Sequence, residues 1–243
     1  MLLKILESSN GMLSGTSDCV CNKIRRRYSV VYVLNKWLNF IGTRLEGEVK
    51  PPYANICQVG DPVLRTKCEA IKLETVMEPK FEKIISHMRK VMRKHGTISL
   101  SAPQIGLPLE LFTLEVTHRF LKKLKEHEIQ FNEIEEVPFK VFINPKLKIL
   151  DYNVVIREET CRSIYGYSAD VPRAKEVEVT FLNSEGNLES LKAKGFTSRI
   201  IQHEYDHLKG KLFIDRMDVT TFQNKIWYEI NQKKGKCKLN YKS

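Results

Sequence analysis

The sequence predicts an α+β fold. Three observations point there: an 18-residue stretch with apolar residues at helical spacing, two strand-like runs joined by a polar turn, and a second helix that follows those strands directly. Runs of strands flanking two helices suit sheets with helices set against them better than a wound parallel sheet. At 243 residues with 42% hydrophobic content, the chain suits one compact domain with extensions better than two equal domains.

The first fifty residues are basic around Arg25 to Arg27 and run into the amphipathic "VVYVLNKWLNFIGTRL". They are expected to be an organellar transit segment, with a retained docking helix as the other reading. Next comes "PKFEKIISHMRKVMRKHG" at 79–96, where Phe81, Ile84, Ile85, Met88, Val91 and Met92 form one stripe and Gly96 supplies the stop. "LELFTLEV" and "KVFINP" read as strands around a charged loop, 117–138, expected on the surface. "EVEVTFLNSEGNLESLKAKG" reads as strand, turn at Asn183 to Asn187, and strand. Helix 196–209 follows, with Thr197 or Ser198 as the expected N-cap and Gly210 as the stop.

That last helix carries the chemistry. Within "IIQHEYDHLKGKLF", His203, Glu204 and His207 stand at i, i+1 and i+4, so the two imidazoles share one face a turn apart, close enough to grip one ion. A carboxylate beside the first of them is placed to take a proton from water, as in metal-dependent amide hydrolases. Two ligands leave a third to be found. Phe213 excludes the longer pattern that ends in a third His. Glu229 lies in a Lys- and Asn-rich stretch that reads better as a solvated face, and Cys161 in "REETCRSIYGY" is either a thiolate ligand or a small buried hydrophobe.

Three segments in order, "SLSAPQIG" at 99–106, "EETCRS" at 158–163 and "QHEYDHLKGKLFIDRM" at 202–217, resemble the three signature motifs of peptide deformylases. "QVGDPVLR", "INPKL" and "VPR" extend the resemblance over roughly residues 51 to 218. It implies antiparallel sheets wrapped around a central metal-binding HExxH helix. It further implies that Cys161, His203 and His207 hold one divalent ion, Fe(II) or Zn(II) with Co(II) as a substitute. Glu204 would be the general base and acid, and Gln104 with the backbone N–H of Arg162 would bind the carbonyl oxygen. The implied reaction removes the N-formyl group from the initiator methionine of nascent peptides and releases formate. Mitochondria are the expected compartment, since formylated initiation there provides the substrate.

This chain departs from the family pattern at four places: Thr97 and Ser99 stand where the first motif usually has glycines, and Thr160 and Arg162 alter the second. Two functions follow, separated by whether these side chains leave the groove open or block it. One is an active deformylase; the other is a catalytically weak relative that binds peptides or ribosomes.

Other residues carry lesser expectations. Asp206 and Arg173 could pair behind the ligands or form no buried pair, and Glu159 could hold the substrate or Arg173 or be one of several solvated acids in "REE". Ile98, Leu100 and Ile201 are candidates for the methionine pocket, while His87, His95, His118 and His127 are expected in solvent. Six cysteines without a CxxC pair or a regular framework fit a reducing compartment. A net charge of +11 is concentrated in "KIRRRY" and "KKGKCK" at the ends, which suggests solvated tails with a soft attraction to RNA or a ribosome surface and no legible nucleic-acid module. The chain has no long uncharged apolar run of the kind a membrane span needs.

Overall fold

A computed structural model describes residues 50–237, so the expected transit segment and the last residues of the basic C-terminal stretch lie outside the described residues. The helices are α1 (Leu73–Val76), α2 (Pro79–His95), α3 (His118–Leu121), α4 (Glu126–Asn132), α5 (Gly195–Leu208) and α6 (Trp227–Gln232). The strands are β1 (Ser99–Ser101), β2 (Leu111–Val116), β3 (Val137–Thr160), β4 (Tyr167–Leu182), β5 (Leu188–Lys194) and β6 (Gln223–Asn224). They form one sheet in the order β1-β2-β3-β4-β5, with β6 on β4 and every neighbouring pair antiparallel. Helix α5 lies against β4, β1 and β5. No described helix is long and apolar enough to cross a membrane.

Helix α2 forms where its stripe predicts. Pro79 starts it, and Phe81, Ile84, Ile85, Met88, Val91 and Met92 are all buried against Leu100, Ile105 and Ile143, each burial worth about 1.5 to 3 kcal/mol. Gly96 ends it in the left-handed region at φ 60°. Helix α5 also stops as expected, with Gly210 at φ 69° and so close to the chain that an added Cβ would lie 2.7 Å from the Arg65 carbonyl oxygen.

Three expectations need correction. The N-cap of α5 is Lys194, not Thr197 or Ser198; the Ser198 hydroxyl instead donates to the Ala174 carbonyl at 3.1 Å, tying the helix to β4. The 117–138 segment contains α3 and α4, and its Phe120, Leu121, Leu124 and Ile129 pack on the core; interleaved lysines and glutamates concealed that face. Finally, β3 runs far past "KVFINP" to Thr160, and β4 begins at Tyr167 rather than near Glu176. Register shifts near Lys146, Asp151 and Val154 interrupt the regular pairing of this long hairpin. Its outer face is open to solvent, so it lacks the apolar run that marks a strand in sequence.

Candidate metal centre

The spacing of His203 and His207 on α5 sets their rings 5.0 Å apart between centroids with planes at 75°. Cys161 follows the last residue of β3, where the hairpin crosses α5, and its Sγ lies 3.3 Å from His207 Nε2. One ligand atom from each of the three residues falls within 4.8 Å of the others. Two donors on a tetrahedral zinc, with bonds near 2.3 Å to sulphur and 2.0 to 2.1 Å to nitrogen, sit roughly 3.5 Å apart. The cluster therefore needs little adjustment to close on one ion.

Electrostatics agree. Burial would raise the Cys161 thiol, but the neighbouring imidazoles of His207 and His203 outweigh it and hold the thiol well below its ordinary value. Burial likewise opposes charge on His203, and Cys161 with Glu159 overcome it, pushing His203 well above the usual imidazole range. An anionic sulphur facing two ring nitrogens in a buried pocket is a donor set that suits a divalent cation of borderline softness. The residues fit the group.

Behind the cluster lies a buried network of charge. Glu159 Oε2 is 3.1 Å from His203 Nδ1, a partner that turns Nε2 of that ring toward the sulphur. Glu159 also accepts two hydrogen bonds from Arg173 and one from Arg199, and although burial alone would raise its carboxyl, His203 and Arg173 bring it down to about 2. Arg173 reaches Asp206 as well, and Asp206 accepts from Arg216. The pairing expected of Asp206 and Arg173 is thus present and buried. Arg199, which the sequence did not single out, donates to the carbonyls of Val155, Arg157 and Val171, fastening α5 to the hairpin.

Glu204 is 2% exposed. Its Oε1 accepts from the Ser99 hydroxyl at 2.7 Å, and its Oε2 has no hydrogen-bond partner. Burial raises its carboxyl above the ordinary range, against the pull of His207, His203 and Ser99. Gln104 sits in the turn after β1, where Ser101 donates to its Oε1 from both backbone and hydroxyl. This fixes the amide, so Nε2 points at Ser163 Oγ (3.1 Å) and Cys161 Sγ (3.6 Å). The backbone at Arg162 is held too, since Gln58 Nε2 donates to its carbonyl and Val59 N–H donates to that of Ser163. The Arg162 side chain is exposed and reaches across toward the Gly96 carbonyl at 3.5 Å.

These groups line an open groove of about 750 Å³ that also takes in Thr97, Ile98, Ser99, Phe120, Phe196 and Ile200. Of the three methionine-pocket candidates, only Ile98 faces it; Leu100 and Ile201 are fully buried in the core. Ile200 and Phe196 were legible, lying three and seven residues before His203 on the same helix face. Glu229 stays at the surface, paired with Lys233, and does not join the ligands. His87 is half-buried with its ring against the Tyr53 carbonyl at 2.8 Å, contrary to the expectation of solvent; His118 and His127 are exposed. Part of the expected basic extension joins the domain, for β6 pairs with the start of β4 and Lys225 and Ile226 line the groove.

Comparison with known proteins gives one answer. The model of the family Polypeptide deformylase matches residues 53–223. A human protein named "Peptide deformylase, mitochondrial" is 37% identical over 185 residues, 76% of each chain. A tomato (Solanum lycopersicum) protein named "Peptide deformylase 1A, chloroplastic" is 37% identical over 206 residues, covering 84% of this chain and 73% of the relative. Among solved structures, a Synechococcus elongatus peptide deformylase in complex with actinonin aligns with a TM-score of 0.57 and 28% identity, over 78% of this chain and 88% of that one.

Proposed function

The chain belongs to the polypeptide deformylase family, and from that premise we propose that Cys161, His203 and His207 hold one divalent cation at which Glu204, Gln104 and Arg162 carry the reaction. The activity is hydrolysis of the N-formyl group on the initiator methionine of nascent peptides, a metal-dependent reaction that yields formate and a free amine. The observation that carries the assignment of residues is the convergence of the three donor atoms beside a buried carboxylate whose Oε2 is unpartnered.

When bound, such a cation lowers the pKa of a water and polarises the formyl oxygen. Glu204 Oε2 takes a proton from the attacking water as its oxygen bonds to the formyl carbon. As the C–N bond breaks, the same carboxyl delivers that proton to the departing amine nitrogen. Gln104 Nε2 and the Arg162 backbone N–H donate to the carbonyl oxygen as it gains charge, a role worth about 2.7 to 4 kcal/mol per donor in other enzymes. The Arg162 side chain leaves this N–H available, because a backbone donor survives any side chain. The groove beside the cluster presents Ile98, Phe120, Phe196 and Ile200 to the methionine side chain.

Ligand type alone admits Fe(II), Zn(II) or Co(II), and availability decides among them. A mitochondrial matrix location is the reading we adopt, with residues 1–50 as the transit segment, 51–218 as the catalytic domain and 219–243 as a basic extension able to meet the mitochondrial ribosome. The weakly active binding protein is not favoured, a reading supported by the convergence of Cys161, His203 and His207 and by a groove that stays open beside Thr97, Ser99 and Arg162. Formate release from a formyl-Met tripeptide, compared across iron, zinc and cobalt reconstitution, tests the proposal. Release that disappears in Cys161→Ser together with the bound metal is expected; no release with any metal overturns it.

A further inference from the structure

Ser99 stands 105 residues before Glu204 in the chain, on the short strand that packs against α5, and its hydroxyl is turned onto Glu204 Oε1 at 2.7 Å. The other oxygen of that carboxylate, Oε2, has no hydrogen-bond partner. We propose that Ser99 is a positioning residue for the general base: by fixing Oε1 it sets the rotation of the carboxylate so that Oε2 faces the attacking water. The inference deepens the function proposed above and rests on Glu204 being the base.

The hydroxyl is well supported for such a task. Ser99 pairs with Leu114 of β2, the Glu115 N–H donates to the carbonyl of the preceding Ile98, and the Thr97 hydroxyl donates to the Ser99 carbonyl at 2.9 Å. The backbone on both sides of the serine is therefore held by the sheet, while Glu204 rides on the helix. A carboxylate with one tethered oxygen has lost the free rotation about its last bond that would otherwise swing Oε2 away from a reacting proton. Thr97 and Ser99, read from sequence as residues that could narrow the groove, here hold each other and the base.

The test is formate release from a formyl-Met tripeptide by metal-loaded protein carrying Ser99→Ala, Ser99→Thr, Glu204→Gln, or Ser99→Ala with Glu204→Gln. Loss of a hydrogen bond to a charged group predicts a kcat about tenfold lower in Ser99→Ala, with KM and metal content unchanged. Ser99→Thr keeps the hydroxyl and is expected to recover most of the rate. On the Glu204→Gln background, removing the Ser99 hydroxyl should cost nothing further, because its effect runs through the carboxylate. A full kcat in Ser99→Ala, a change confined to KM, or an undiminished loss on the Glu204→Gln background each overturns the proposal. If Ser99→Ala is silent while Glu204→Gln is inactive, only the role of Ser99 falls. If Glu204→Gln turns over at the parent rate, the assignment of the base falls, and the positioning role with it.

Discussion

Replacing Arg173 by methionine should destabilise the protein far more than any other single change in the charged network behind the ligands. The Arg173 side chain is 2% exposed and binds Glu159 and Asp206, whose side chains are 9% and 5% exposed. Methionine fills similar space but leaves two buried carboxylates short of a counter-charge. Breaking a buried pair by removing one partner typically costs about 3 to 5 kcal/mol. Arg199 and His203 remain on Glu159 and Arg216 remains on Asp206, so the lower end, about 3 kcal/mol, is expected here. For a domain of this size that is a fall in Tm of about 6 to 12 °C. Arg216→Ala is the control: its side chain is 44% exposed and Arg173 remains on Asp206, so the loss should be smaller than in Arg173→Met. Both variants are melted with the same bound metal and again with a chelator present, which separates network from metal. If Arg173→Met melts within a degree or so of the parent, or Arg216→Ala costs as much, the buried network is not what holds the hairpin to α5.

Three further outcomes follow from the geometry. Gln104→Ala should lower kcat about 100-fold or more with the metal retained, as for loss of an oxyanion donor elsewhere; an unchanged kcat in initial-rate measurements would remove Gln104 from the carbonyl site. Stripping the metal should add one thiol to a reagent titration at pH 8.5, an increment absent in Cys161→Ser. Burial at Cys57, aided by Asp61, pushes that thiol up to about 12, and burial raises Cys68 further, so both should stay silent in the native protein. The sign is that of raised groups: their contribution to stability is complete below the ordinary thiol value and is lost as pH climbs through the folded one. Gly210→Ala, at φ 69° and against the Arg65 carbonyl, should cost about 1 to 3 kcal/mol in a denaturant titration, and a neutral result would show that the turn after α5 can shift.

What the sequence by itself determined is whatever depends on neighbours within a turn or two of chain. Helix α2 follows from its own stripe, the His203–His207 pair from a spacing of four, and the stops at Gly96 and Gly210 from the one residue that accepts positive φ without strain. Three motifs in order added Cys161, Gln104 and the family. Tertiary structure decided everything joined across the chain: the long pairing of β3 with β4, the three side chains gathered on Glu159, and the serine that tethers Glu204 from 105 residues away. No local pattern encodes such contacts. Their energy comes from burial and charge pairing that exist only once distant segments have met, so an arginine such as Arg199 reads as solvated in the chain and becomes a clamp in the fold.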